Sequence, residues 1–304
     1  MLLARVAEDL YWAARYLERA ENTARIIREH TNLMVDLPES APLSWEPLLA
    51  IAGESGVATT TEHAIVHALI ADLEVSASIA SCVARARSNL RTCRETIPRE
   101  FWLTVNHLHL YVSQHSDEGV DRSSRNRFLT QVISESQLAV GILGGVMSSD
   151  EAYEMLRLGR TIERADMTTR VLDVRAVALM ESGPGQLGDV MWGGVLRSLS
   201  ALQMFQRNRH EVVDAEPVVD FLLQDRRFPR AVRCCVEKVA ASVARLPTPD
   251  GVVAACTEAL AVLDRSQHVG AEPEAMRLAI DDIQLSIANL SDQLAKAYFG
   301  KPLG

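Results

Sequence analysis

Residues 2–34 read LLARVAEDLYWAARYLERAENTARIIREHTNLM and contain neither proline nor glycine. Apolar side chains recur in this stretch with the period of an α-helix. They form one stripe, made by Leu3, Val6, Leu10, Ala13, Leu17, Ala20, Ala24 and Ile27. The stretch therefore predicts one long helix with an apolar side at the start of the chain.

Part of this stretch occurs twice, and we call it the charged motif. The first copy is Arg15-x-x-Glu18-Arg19-Ala20-Glu21-x-Thr23-x-Arg25. The second, 145 positions later, is Arg160-x-x-Glu163-Arg164-Ala165-Asp166-x-Thr168-x-Arg170. A weaker match follows in the same order at an offset of 153, with Ile79-x-x-Cys82-Val83 laid on Val232-x-x-Cys235-Val236. We expect two tandem halves, 1–147 and 148–304, that pack as one compact, pseudo-two-fold unit.

The composition favours helices throughout. The chain has 304 residues, of which 48% are hydrophobic and only 5% aromatic, and Ala, Leu, Val and Arg dominate. Alternating strand patterns with turn pairs are nearly absent. We therefore predict an all-α protein of long antiparallel helices. Residues 38–57 and His115–Arg122 are predicted as loops, 190–208 as one helix, and the second motif helix is expected over about 150–180, before Gly183-Pro184-Gly185.

Charge and cysteine usage limit the surroundings. The formal net charge of −9 argues against a general nucleic-acid surface. The longest uncharged apolar run, from Leu138 to Met147, is too short to cross a bilayer. Charged residues in the first turns argue against a signal peptide. Five cysteines without a CxxC pair suit a reducing compartment. We expect a cytoplasmic protein that binds neither nucleic acid nor membrane.

The charged motif lies on one face of its helix. An arc of roughly 100°, opposite the apolar stripe, holds Glu8, Tyr11, Arg15, Glu18, Asn22 and Arg25. Arg160, Glu163 and Arg170 take the same angles in the second copy. A solvated face of weak ion pairs would not require the same residues in both copies. Two interpretations stay open: a buried polar network that joins the halves, and a pocket in which arginines hold an anion while Glu18 and Glu163 act as acid or base.

A second arginine cluster reads Asp225-Arg226-Arg227-Phe228-Pro229-Arg230-x-x-Arg233. Pro229 suits the first position of a helix, whose free N–H groups could bind an anion together with Arg230 and Arg233. The alternative is that Asp225 and nearby acids satisfy these arginines internally.

Other polar groups give weaker signals. Arg87, Arg91 and Arg94 form a stripe that is either solvated or a docking patch for an acidic partner. Trp102 and Asn106 are expected in the core. His63 and His67 could bind a metal with Glu62 nearby, but the chain has no Glu-x-x-His, HExxH or phosphate-binding loop, so no cofactor is evident.

The chain resembles the Alpha-E family over essentially its whole length. The matching residues are Arg5-x-Ala7-Glu8-Asp9-Leu10-Tyr11-Trp12-x-x-Arg15-Tyr16-Leu17-Glu18-Arg19-Ala20-Glu21-Asn22-Thr23-Ala24-Arg25, Trp102-Leu103-x-x-Asn106, Leu158-Gly159-Arg160-x-Ile162-Glu163-Arg164-Ala165-Asp166-Met167-Thr168, Phe221-Leu222-Leu223 and Phe228-Pro229-Arg230. The chain departs from the pattern at Ala14, where we expect glycine, and at Ala231, where serine often stands.

The resemblance implies a setting rather than a reaction. Alpha-E proteins occur in small bacterial systems beside, or fused to, a circularly permuted ATP-grasp protein, often with a transglutaminase-like protein and a proteasome-like hydrolase. ATP-grasp proteins join carboxylates to amines, so ATP would enter only through the partner.

Three functions follow as hypotheses. The first is an accessory or co-catalytic partner of an ATP-grasp amide or peptide ligase, in which the duplicated charged centre holds an anionic or amino-acid-like substrate. The second is an autonomous enzyme that uses Glu18 and Glu163. The third is a purely structural helical scaffold.

Overall fold

The computed structural model describes residues 2–38, 43–54, 60–176, 179, 188–209, 212–247, 249–267 and 273–300. Over these ranges the regular structure consists of thirteen α-helices with short 3-10 and π-helical segments, and it contains no strand. The prediction of an all-α protein is confirmed. No helix in the described ranges combines the length and the apolar character needed to cross a membrane.

The chain folds as two compact units, Met1–Arg160 and Thr161–Gly304. The first unit contains α1 (Ala4–Asp36), α2 (Glu46–Ala52), α3 (Glu62–Ile70), α4 (Ile79–Thr92), a 3-10 turn (Arg94–Thr96), α5 (Arg99–Val120), α6 (Arg125–Val146) and the first part of α7 (Glu151–Val171). The second contains the rest of α7, a π-helical segment (Leu172–Ala176), α8 (Gly188–Ser198), α9 (Leu202–Arg209), α10 (Ala215–Gln224), α11 (Val232–Val243), α12 (Asp250–Arg265) and α13 (Pro273–Tyr298).

Helix α1 is the centre of the first unit. It packs against α2, α3, α4 and α6, and its side chains are buried around most of its circumference. Leu10 and Ile27 are buried on the apolar stripe, and Glu18 and Asn22 are buried on the charged arc. The helix is therefore not amphipathic in the usual sense, because neighbouring helices cover both faces.

Three loop and helix predictions were wrong. Helix α5 continues to Val120, through most of the segment His115–Arg122 that was expected as a polar loop. The polar side chains of this segment lie on the outer side of the helix, and His115 pairs with Glu118 one turn later. The segment 38–57 contains α2, which begins after Trp45. The single helix expected over 190–208 is two helices, separated by a turn in which Ser200 has φ 55°.

The two units are divided inside α7, after Arg160. The division into halves after residue 147 stays a prediction. Helix α7 becomes π-helical over Leu172–Ala176. The predicted end at Gly183-Pro184-Gly185 lies outside the described residues. The pseudo-two-fold relation between the halves stays a prediction.

The same loop is built once in each unit, in register at an offset of 153. It links α3 to α4 in the first unit and α10 to α11 in the second. The Cys82 thiol donates to the Ser76 carbonyl at 3.4 Å, and the Cys235 thiol donates to the Pro229 carbonyl at the same distance. The second sequence match therefore marks a repeated piece of backbone architecture.

The charged motif is tied to this loop in the same way in each unit. Thr23 Oγ1 donates to the Ala77 carbonyl at 3.5 Å, and Thr168 Oγ1 donates to the Arg230 carbonyl at 2.8 Å. Both carbonyls precede the N-cap residue of the following helix. The threonine of the motif thus anchors the start of α4 in one unit and of α11 in the other.

Arg125 is a buried arginine that no sequence pattern marked. Its side chain is 2% exposed and donates to the carbonyls of Gly119 and Val120 at the end of α5. It also pairs with Glu62 at 2.8 Å. A cation that donates to the last carbonyls of a helix satisfies acceptors that the helix itself leaves open.

Candidate functional site

The central glutamate of the charged motif is buried in both copies, and the other charged members are buried or half-buried. Arg15 is 8% exposed, Glu18 is 2% exposed and Glu163 is fully buried. Glu8, Arg19, Arg160 and Arg164 are half-buried. The interpretation as a solvated face is therefore wrong. The motif is a set of charged groups withdrawn from water, which is stable only when the charges are paired and hydrogen-bonded.

One ion pair recurs in both copies. Arg25 binds the Glu21 carboxylate through two nitrogens, at 2.6 and 3.0 Å, and Arg170 binds Asp166 at 3.1 Å. Both pairs are spaced i,i+4 on their helix. The first pair is almost wholly buried, whereas the Arg170 and Asp166 side chains keep 35% and 18% of their surface. The same chemistry is thus much more desolvated in the first copy.

Arg15 lies among aromatic rings of its own helix. Its guanidinium is 5.2 Å from the centre of the Trp12 ring and 5.9 Å from that of Tyr11. Trp12 also stacks on Tyr16 at 5.6 Å. Cation–π contacts of this kind partly replace the water that a buried guanidinium loses. Tyr11, which the sequence places on the same arc as Arg15, therefore contacts it.

A small cavity lies beside the first copy of the motif. It has a volume of about 20 Å³, and its polar lining comes from Glu18 and Glu21 of α1, Ser136 of α6 and Arg160 of α7. Ala14 and other small or apolar side chains complete it. A volume of this size holds about one water molecule. The geometry in the first unit therefore favours a packed network over a substrate pocket.

Gly159 explains how α7 reaches α1. A Cβ atom on this residue would lie 2.1 Å from the Tyr11 carbonyl oxygen, so only glycine permits the backbones to come this close. This contact places Arg160 next to the cavity with Glu18. Ala14, the departure noted in the first copy, borders the cavity, where a methyl group is accommodated.

The second arginine cluster is not the start of a helix. Helix α11 begins at Val232 with Ala231 as its N-cap, so Pro229 lies in the preceding turn. Asp225 holds the chain in a loop there, because its carboxylate accepts hydrogen bonds from the backbone N–H groups of Arg227 and Phe228. The prediction for Pro229 was therefore wrong.

Arg233 is satisfied internally. It binds Asp264 at 2.5 Å and Gln224 at 2.9 Å, and it is 3% exposed. Arg230 is also buried, and its carbonyl accepts the bond from Thr168. The structure thus favours the alternative of internal pairing for Arg233, and it joins the cluster to the second copy of the motif through Thr168.

An arginine and tryptophan surface lies on the first unit, where the sequence predicted a core tryptophan. Trp102 is half-buried, with the Arg94 guanidinium 4.2 Å and the Arg87 guanidinium 5.8 Å from its ring centre. Arg87 also donates to Asn106 at 2.8 Å. Trp102 and Asn106 therefore contact the arginines of this surface rather than packing in the core.

The histidine pair has no third metal ligand among the residues that the structure describes. The rings of His63 and His67 lie 6.4 Å apart, whereas Glu62 is paired with Arg125. Across the described ranges, no group of three or more His, Cys, Asp or Glu residues is arranged to hold a metal ion. The predicted association of Glu62 with the pair is wrong.

The five cysteines of the chain are all buried. None of them forms a disulfide. Burial raises the pKa of the Cys93 thiol, and it raises the pKa of Cys256 to about 11. Reactive thiols need a lowered pKa, so these two are structural.

Comparison with known proteins identifies a family for this chain but assigns it no activity. Residues 2–299 match the model of Alpha-E, described as a predicted alpha-helical domain with a conserved ER motif. The chain is 23% identical over 270 residues to an uncharacterized protein of Mycobacterium bovis and to one of Mycobacterium tuberculosis. Each match covers 81% of this chain but only 30% of the relative, so the chain spans less than a third of those proteins. No solved structure matches.

Proposed function

Since this chain belongs to the Alpha-E family, we propose that it is an accessory subunit of an ATP-grasp amide or peptide ligase. It would act in a bacterial, cytoplasmic system that modifies a peptide or an amino-acid conjugate. In this proposal ATP is bound by the ligase, and the Alpha-E chain supplies a rigid helical body and a surface on which the ligase docks.

The observation that carries the proposal is the packing of the charged motif. Glu18 is buried in the first unit beside a cavity of only about 20 Å³. An amino acid needs several times that volume, so the cavity gives the autonomous-enzyme hypothesis little support. The duplicated charges then serve to fix helices in place, which is what an accessory protein with a specific docking surface requires.

The arginine and tryptophan surface is the docking face that we favour. Arg91 and Arg94 are exposed, and neither is paired with a carboxylate among the described residues. Arginine and tryptophan are enriched in the centres of protein interfaces. Because the surface is cationic, it would suit an acidic segment of the ligase.

The mycobacterial relatives support the same interpretation. The segment that matches this chain makes up 30% of each relative. A helical module that recurs inside a longer polypeptide is expected to work beside other domains. A fused arrangement and a separate docking subunit are two forms of the same association.

The test is co-migration with the ATP-grasp protein encoded nearest to this chain. Both purified proteins are mixed at micromolar concentration and run on size-exclusion chromatography with light scattering. We expect a complex that is weakened by Arg91→Glu together with Arg94→Glu. The control is Arg122→Glu, which reverses an exposed charge at the α5–α6 connection. Independent migration of the two wild-type proteins would contradict the proposal.

A second measurement separates docking from substrate binding at the motif. Glu18→Gln removes a buried charge whose loss is expected to cost about 3–5 kcal/mol of stability. If the motif is structural, the variant should melt earlier and still bind the ligase at a temperature where it is folded. A ligase reaction that fails with folded Glu18→Gln while the complex persists would instead place the motif in the chemistry.

A further inference from the structure

The first unit has an open, groove-like cavity outside the charged motif, and His63, His67 and Glu74 in its lining are exposed. It lies beside α3 and the loop that follows, and its volume is about 540 Å³. Three carboxylates, from Glu54, Asp72 and Glu74, and two imidazoles, from His63 and His67, line it with small apolar side chains between them. This volume is within the range of small-molecule sites.

The second unit carries aromatic rings at the corresponding sequence positions. Phe228 stacks on Phe221 with ring centres 5.0 Å apart, and Phe205 packs edge-on against Phe221 at 5.5 Å. At the offset of 153 that relates the two loops, Phe221 corresponds to Ala68 and Phe228 to Val75. Ala68 and Val75 both line the cavity. Two positions that carry rings in the second unit are thus occupied in the first by smaller side chains that line the cavity.

The lining of this cavity favours a positively charged ligand. No Lys or Arg is among the described residues around the cavity. Glu54 is held in place by Ser76 Oγ at 3.0 Å and by the Ala77 N–H at 3.3 Å. Asp72 accepts from the Glu74 N–H at 2.9 Å. Fixed carboxylates in a concave site concentrate cations and repel anions.

We propose that this cavity binds an alkylammonium group, either of a free aliphatic diamine or of a lysine side chain. The carboxylates pair with the ammonium, while Ala68 and Val75 contact the methylene chain. An organic cation is favoured over a metal ion because the described residues contain no third ligand for the histidine pair. The inference is independent of the ATP-grasp partnership.

The experiment is isothermal titration calorimetry of the full chain with 1,5-diaminopentane, with N-acetyl-lysine amide, and with 1,5-pentanediol as a neutral analogue. We expect at least one amine to bind with a dissociation constant below about 1 mM and the diol not to bind. Tighter binding of the diamine would identify a free amine as the ligand. Tighter binding of the lysine amide would identify a side chain.

Two variants test the location. Val75→Phe carries the ring of the second unit into the cavity and should abolish binding. Glu74→Gln removes an exposed carboxylate and should weaken binding about two- to fivefold without affecting folding, so it decides the matter if Val75→Phe does not fold. Glu95→Gln, an exposed carboxylate elsewhere in the unit, should bind as the wild type does. No heat with either amine, equal binding of the diol, or equal affinity in Glu74→Gln and wild type would overturn the proposal.

Discussion

Gly159→Ala should separate the two helices that carry the charged motif in the first unit. The added Cβ would lie 2.1 Å from the Tyr11 carbonyl oxygen, and Cβ atoms essentially never approach a heavy atom within 3.0 Å. The backbones must therefore move apart by about 1 Å, because a carbonyl oxygen in a helix cannot rotate away as a side chain can.

The magnitude follows from two opposing terms. Overpacking a close contact costs about 1–3 kcal/mol, and we take the upper part of that range because the contact is with backbone. Replacing glycine by alanine inside a helix stabilises the folded state by up to about 1 kcal/mol. The net loss is about 2 kcal/mol, which lowers the melting temperature by about 4–8 °C in a unit of this size.

The matched control is Gly141→Ala in α6, where nothing lies within 4 Å of the added Cβ. This substitution changes only the helix propensity, because alanine is a better helix former than glycine, and it should raise the melting temperature slightly. Differential scanning fluorimetry and circular dichroism on both variants give the comparison. If Gly159→Ala melts at or above the wild type, the close approach of α7 to α1 is wrong.

Three other predictions follow from the same structure. Glu21→Gln should cost about 3–5 kcal/mol of unfolding free energy because its ion pair is buried. Asp166→Asn should cost only about 0–1 kcal/mol because its ion pair is partly exposed. Equal losses of the two variants in urea titrations would contradict this. Ser78→Ala should cost about 0.5–2 kcal/mol, since the Ser78 hydroxyl caps α4 by accepting from a backbone N–H; an unchanged urea midpoint would argue against the cap. Burial, and then a neighbouring carboxylate, raises the pKa of Asp173, so its charged form destabilises the fold once the pH rises above the ordinary pKa of an aspartate. Asp173→Asn should therefore melt at a higher temperature than the wild type at pH 7, and this gain should vanish below about pH 4. A gain in melting temperature that persists at pH 3 would refute the assignment.

The helices could be predicted because they depend on local sequence. Proline and glycine placement and the apolar period located most of them, since backbone propensity and side-chain spacing act over a few residues. The failures are also local in character. The polar segment before Val120 stays helical because a helix can carry polar side chains on its outer side, and Ser200 ends α8 with a backbone conformation that no composition signal marks.

The candidate site was predicted in part. The repeated residues were identified from the sequence, and so was the conclusion that a solvated face would not require them. Whether they surround a pocket or a packed network depended on which helices cover the charged arc. That is a long-range property, and the position of α7 against Tyr11 is fixed by one glycine whose role is invisible without its neighbour.

By itself the sequence determined that the chain is all-α, that it carries two copies of one charged motif, and that it resembles the Alpha-E family. Helical periodicity and repetition are properties of order along the chain, so the sequence contains them directly. Only the tertiary structure decided that Glu18 is buried beside a cavity for about one water molecule, that Arg125 closes the end of α5, and that Ala68 and Val75 line an open cavity in the first unit. Burial and cavity volume are set by residues distant in the chain, which no local pattern can specify.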